Sequence, residues 1–204
     1  MSEEYCVEKY ERNGLIVKII EDTDPMNPRV DWDNAGTMIC SHRNYTLGDE
    51  QFNSDDYDGW DDLKKYLIEW REAVIILPLD LYDHSGITMY IPGDGGYRQH
   101  EAWDSGQVGF IYITQADIDK DWTGDDRNEQ AEKCLRAEVK TYDQYLTGQV
   151  YGFDITNPKN GECVDSCWGF FGQDYCVTEA NDVADNFVHP HDAAYAKNAV
   201  IIHG

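Results

Sequence analysis

Basic residues are what this sequence lacks most. The 204 residues include 16 Lys+Arg against 40 Asp+Glu, for a formal net charge of −24 and an isoelectric point near 4.3. Such a surface repels nucleic acid and anionic membrane and attracts basic partners. No basic stretch interleaved with aromatics offers a groove for a phosphate backbone, so direct binding of nucleic acid is not expected. Long apolar runs are missing too: none approaches the roughly 18–20 residues of a membrane span. The opening MSEEYCVEKY is acidic and polar rather than a basic and apolar leader. The six cysteines (6, 40, 134, 163, 167 and 176) follow no disulfide framework. These absences lead to the expectation of a cytoplasmic protein with free thiols.

Several chemical signatures are also missing. The acids form no complete calcium loop, which needs oxygen ligands at positions 1, 3, 5 and 12 and glycine at 6. Counted from Asp31, position five is Ala35 and position twelve is His42; counted from Ser54, position twelve is Lys65. Cys163 and Cys167 lie in an apparent strand, where four residues of about 3.3 Å rise hold them roughly 13 Å apart. That is too far for one tetrahedral zinc or for a disulfide. The glycines of PGDGG (92–96) do not link a strand to a helix, so they make no phosphate cradle. There is no GxSxG elbow and no internal repeat. No cofactor is expected.

What the chain has is enough apolar and aromatic sequence for a core, organised around Ala73 to Thr114. Strands are predicted near 15–20, 73–82, 86–91, 107–114, 149–155 and 162–171. The last two form a hairpin with Asn160-Gly161 at its turn. Helices are predicted over 55–72, where Tyr57, Trp60, Leu63, Leu67 and Trp70 form the apolar stripe, and over 128–147. Shorter helices are predicted from a Thr114 cap and over 178–186. Strands that neighbour each other as hairpins, with helices between them, indicate an α+β fold: a mainly antiparallel sheet covered by two main helices. The expectation is a single domain over 1–204, with a long acidic irregular stretch at 21–56 and a weakly ordered tail after about 187.

Two compact polar motifs stand at strand ends, YDHSG (82–86) and WDSG (103–106). His84 there is a candidate general base or metal ligand, with Asp83 and Asp104 as partners. Asp31, Asp33 and His42 would complete a divalent-metal site. The plainer reading makes Asp83 and Ser85 turn residues that bond backbone amides.

The acidity supports a different function. Duplex DNA carries one charge per about 1.7 Å, so 24 charges correspond to about 41 Å of duplex. A folded chain of this length has a diameter of roughly 43 Å. Net charge per length is thus similar to that of DNA. Asp55, Asp56, Asp58, Asp61, Asp62, Asp121, Asp125 and Asp126 are the candidate phosphate mimics. Trp60 and Trp122, set among them, are the candidate aromatic anchors of an interface with a basic protein.

The segments 27–50, LPLDLYDHSGITM (77–89), WDSGQVGFIYIT (103–114), LRAEVKTYDQYLTGQVYGF (135–153) and VDSCWGFFG (164–172) together resemble a family of bacteriophage and mobile-element proteins with no assigned activity. The resemblance covers about half of the chain and implies a phage accessory protein in the host-cell cytoplasm. It transfers no catalytic residue. By analogy, small acidic accessory proteins of phages include DNA mimics that block restriction or CRISPR enzymes, although no motif of the ArdA anti-restriction family is present. The first expectation is therefore a non-enzymatic inhibitor of a basic, nucleic-acid-binding host defence protein. A metal-dependent hydrolase built on Asp83, His84 and Asp104 is the alternative. A virion structural protein, which would expose an apolar or self-complementary surface, is the third.

Overall fold

The strands expected from the sequence divide between two sheets. The computed structural model describes residues 5–84, 86–94 and 105–188. In chain order they form β1 (Cys6–Arg12), β2 (Leu15–Glu21), β3 (Thr37–Cys40), β4 (Glu50–Gln51), α1 (Trp60–Trp70), β5 (Ala73–Asp83), β6 (Ile87–Tyr90), β7 (Ser105–Thr114), α2 (Gln115–Asp121), α3 (Arg127–Leu146), β8 (Val150–Thr156), β9 (Cys163–Phe171) and α4 (Gln173–Asn186). A short 3-10 turn covers Ser54–Asp56. The fold is α+β with mainly antiparallel pairing, and the chain forms two units, 1–24 with 149–204, and 25–148. No described helix is long and apolar enough to cross a membrane.

The unit 25–148 holds a five-stranded sheet in the order β4-β3-β7-β5-β6, antiparallel except where β3 meets β4. Successive residues of a strand face opposite ways, so this sheet serves two cores. Met38, Cys40, Leu77, Leu79, Ile111 and Ile113 pack under α2 and α3 with Ile118, Leu135 and Val139. Ile39, Phe110 and Tyr112 pack under α1 with Leu63 and Leu67. Both leucines are fully buried, and each stabilises the fold by about 1.5–3 kcal/mol relative to exposure. Gly109 allows β3 and β7 to approach: a Cβ there would lie 1.9 Å from the carbonyl oxygen of Ile39.

The acidic stretch at 21–56 was expected to be irregular, yet it contains β3 and β4 and is anchored by one arginine. The Arg29 guanidinium is 1% exposed. It donates from Nε to Asp49 Oδ1 at 2.9 Å, from Nη2 to Asp49 Oδ2, from Nη1 to Glu138 Oε2 at 2.8 Å, and from Nη2 to the carbonyl of Gly36 at 2.7 Å. Both carboxylates also accept backbone amides: Asp49 that of Met38, and Glu138 that of Ala35. The loop before β3 is thus bound to α3 by side chains more than a hundred residues apart in sequence.

α1 is shorter than expected. Gly59 at φ 88 stands before its first turn, and Asp55 and Asp56 belong to the 3-10 turn capped by Asn53. Trp70, expected on the buried stripe, is instead 76% exposed. It is the last residue of the helix, and the chain turns at once through Glu72 (φ 54) into β5. Leu63 and Leu67 already fill the space over the sheet.

In the unit 1–24 with 149–204, four antiparallel strands run in the order β1-β2-β8-β9. α4 covers one face, and its small residues Cys176, Ala180 and Ala184 seat against Leu15, Val17, Ile19, Phe153 and Ile155. β1 escapes the sequence reading because CVEKYER is mostly exposed and nearly devoid of apolar pattern. Arg12 and Tyr10 tie it to α4 through Asp185 and Asn181. The β8–β9 hairpin turns at Asn160-Gly161 as expected, with Gly161 at φ 73. The tail after 188 lies outside the described residues.

Candidate functional site

β3 and β5 both pair antiparallel with β7, so they run in the same direction and end on the same side of the sheet. The start of β7 lies between those two ends, with Ser105 opposite Tyr82. Three segments therefore converge: 41–43 after β3, Asp83 at the end of β5, and 105–108 at the start of β7. They line an open cleft of about 490 Å³, to which Ser54 and Trp60 add a wall.

His42 is the best-placed titratable side chain in this cleft. Its ring stacks on Tyr45 with centroids 5.0 Å apart. Its Nδ1 accepts the amide of Asn44 at 3.3 Å, which puts the proton of the neutral ring on Nε2. Nε2 faces Asp83 Oδ2 at 3.8 Å, and the Tyr45 hydroxyl donates to Asp83 Oδ1 at 3.4 Å. The arrangement orients the ring, but one nitrogen is occupied by the backbone and the other faces a carboxylate. A general base needs a nitrogen directed at the proton it abstracts.

His84 does not share the cleft. It is exposed, its amide donates to the carbonyl of Gly86 at 3.1 Å, and its ring lies 6.2 Å from that of Tyr82. A strand alternates its side chains, so Asp83 and its neighbour diverge. Asp104 lies outside the described residues. Asp31 closes its own turn by accepting the amide of Asn27 at 2.8 Å, and Asp33 is exposed in the same loop. Of the expected metal set, the structure brings together His42 and Asp83. Among the described residues no three His, Cys, Asp or Glu side chains are grouped to hold an ion.

The eight candidate acids are all exposed, and they fall into two groups. Asp55, Asp56, Asp58, Asp61 and Asp62 surround the start of α1, on the face of the five-stranded sheet that α1 covers. Asp121, Asp125 and Asp126 lie at the end of α2 and before α3, against the opposite face. The first five make no ion pair with a described Lys, Arg or His, whereas Asp121 is 3.9 Å from Lys120. The two candidate anchors are partly buried in these cores. Trp60 meets Phe110 edge-on with ring centroids 6.0 Å apart, and Trp122 packs against the core under α2 and α3. Exposed apolar side chains stand toward the other end of α1, at Ile68 and Trp70, and at Val74 in β5.

Burial perturbs a few groups. It pushes the Cys40 and Cys176 thiols up to about 12, and it raises the Asp80 carboxyl above its ordinary range. Sequence reasoning centred the site on His84, because the YDHSG motif is compact, and gave His42 only as a completing metal ligand. The parallel course of β3 and β5 was the signal for His42, and it depends on a four-residue strand hidden in the acidic stretch. Comparison with family models, curated proteins and solved structures finds no match for this chain.

Proposed function

We propose that the protein acts by binding rather than by catalysis, presenting the acidic surface at the start of α1 to a basic, nucleic-acid-binding host protein, in the manner of a DNA mimic. The observation that carries this reading is the group of five exposed carboxylates, Asp55, Asp56, Asp58, Asp61 and Asp62, with no cation paired to them among the described residues. Exposed acids in a chain of net charge −24 raise the encounter rate with a basic partner. Charge alone gives little specificity, and Ile68 and Trp70 toward the far end of α1, with Val74 in β5, supply the apolar contact that interfaces concentrate on a few large side chains.

The reading narrows the original expectation. Asp121, Asp125 and Asp126 face away from this surface, so one continuous row of phosphate mimics is not part of it, and Trp70 replaces Trp60 and Trp122 as the anchor. Among the described residues the hydrolase alternative retains His42 and Asp83, neither of which has the geometry of a free base.

The test is a competition assay in which the protein displaces duplex DNA from restriction and CRISPR nucleases. For a nuclease that is displaced, Trp70→Ala is expected to weaken inhibition by at least about thirty-fold, the cost of losing a hot spot of ~2 kcal/mol. The triple change Asp121→Asn, Asp125→Asn, Asp126→Asn is expected to leave inhibition within about two-fold of wild type, because screening isolates charges more than about 10 Å apart. Equal effects from both variants would refute the assignment of the surface.

A further inference from the structure

The described arginines of this chain are almost all occupied. Arg12 pairs with Asp185, Arg29 with Asp49 and Glu138, Arg71 with Glu50, Arg127 with Asp119, and Arg136 with Asp94 and Glu132. With 40 acids to 16 bases, every described arginine would be expected to find a carboxylate. Arg43 is the exception: among the described residues it makes no ion pair and donates no side-chain hydrogen bond. It stands on the wall of the cleft at the ends of β3 and β5, beside His42 and near the hydroxyls of Ser41 and Ser54. Asp83, the acid in that wall, is turned toward His42 and Tyr45.

We infer that this cleft is a binding site for the oxyanion group of a small polar ligand, a phosphate or a carboxylate, held by the guanidinium of Arg43. Its volume of about 490 Å³ falls within the range of small-molecule pockets, roughly 300–1,000 Å³. A guanidinium offers parallel N–H donors in a fork that matches two oxygens of a phosphate or carboxylate, which an ammonium cannot do. The serine hydroxyls add neutral donors. The rest of the surface repels anions, so an anion that binds must find a local exception, and Arg43 is one. The site borders the acidic surface at α1, since Ser54 and Trp60 line it, but it recognises charge of the opposite sign, and its failure would leave the protein–protein reading untouched.

The experiment is a titration of the full chain, at constant ionic strength, with sodium phosphate and separately with sodium succinate, followed by amide chemical shifts of residues 41–43 and 105–108. Saturable shifts confined to these segments are expected with one or both anions. Phosphate alone identifies a phosphoryl ligand, and succinate alone a carboxylate. Arg43→Gln is expected to weaken binding at least about ten-fold, and Arg43→Lys to recover only part of it, since the charge returns without the fork. Arg43 is exposed and makes no ion pair among the described residues, so an unchanged melting temperature checks that both variants are folded. No saturation with either anion below about 50 mM, an affinity too weak for a built site, overturns the inference. So does an affinity that Arg43→Gln leaves unchanged.

Discussion

At the scale of single residues, burial decides which polar groups react and which weaken the fold. Cys40 and Cys176 are buried, and burial holds their thiols near 12, so they carry almost no thiolate at pH 8. Cys163 and Cys167 are exposed on β9. Treatment with iodoacetamide at pH 8 should therefore modify Cys163 and Cys167 within minutes, and Cys40 and Cys176 only after denaturation, as read by peptide mass spectrometry. Asp80 shows the opposite burden. Its carboxyl is raised by burial, so its ionised form is less favourable in the folded chain than in the unfolded one. The penalty is absent below the unfolded value near 3.8, where both states are protonated, and is complete above the raised folded value. Asp80→Asn should raise the melting temperature at pH 7, and the gain should vanish as pH falls below about 4. The sequence marks neither effect. Burial of a given Asp or Cys depends on the sheet face it occupies, and a bulge between Leu79 and Asp80 shifts that register.

At the scale of elements, local pattern was legible where a segment carried its own signal. The cap at Thr114 is formed, its oxygen accepting the amide of Asp117 at 3.2 Å. α3 and the β8–β9 hairpin fall within two residues of the sequence reading. β1, β3 and β4 were not legible: β1 is mostly exposed and lacks an apolar alternation, β4 has two residues, and β3 is a four-residue strand that pairs with the distant β7. The Arg29 clamp is the clearest case. Asn27-Pro28-Arg29 reads as loop, and only the fold brings Asp49 and Glu138 to it. Removing one member of a buried pair leaves the other uncompensated, at a cost of about 3–5 kcal/mol. Arg29→Met should therefore lower unfolding free energy by that amount in urea titrations and expose β3 to early hydrogen exchange. A loss below about 1 kcal/mol would mean that packing alone positions the loop. The candidate cleft shares this dependence, since His42 reaches Asp83 only because β3 and β5 flank β7.

At the scale of the whole molecule, charge is the property most readable from sequence and least able to fix a function by itself. The total of −24 leads to the expectation of a protein that repels nucleic acid and attracts basic partners. It could not foresee that the acids near α1 and those before α3 would lie on opposite faces of one sheet, nor that Trp70 would be left in solvent while Trp60 joined a core. Those outcomes depend on which strand faces each helix covers. The account now rests on a single helix, with five carboxylates at its start that pair with no cation among the described residues and an exposed tryptophan at its end. The most direct test is the salt dependence of its affinity. The dissociation constant for a nuclease displaced from DNA should be measured from about 50 to 300 mM NaCl, for the wild type and for a variant with Asp55, Asp56, Asp58, Asp61 and Asp62 all changed to Asn. If these carboxylates form the interface, wild-type affinity falls steeply over this range as screening grows, while the variant binds weakly at low salt and responds little to added salt. Equal affinity and equal salt dependence in the two proteins would contradict the account.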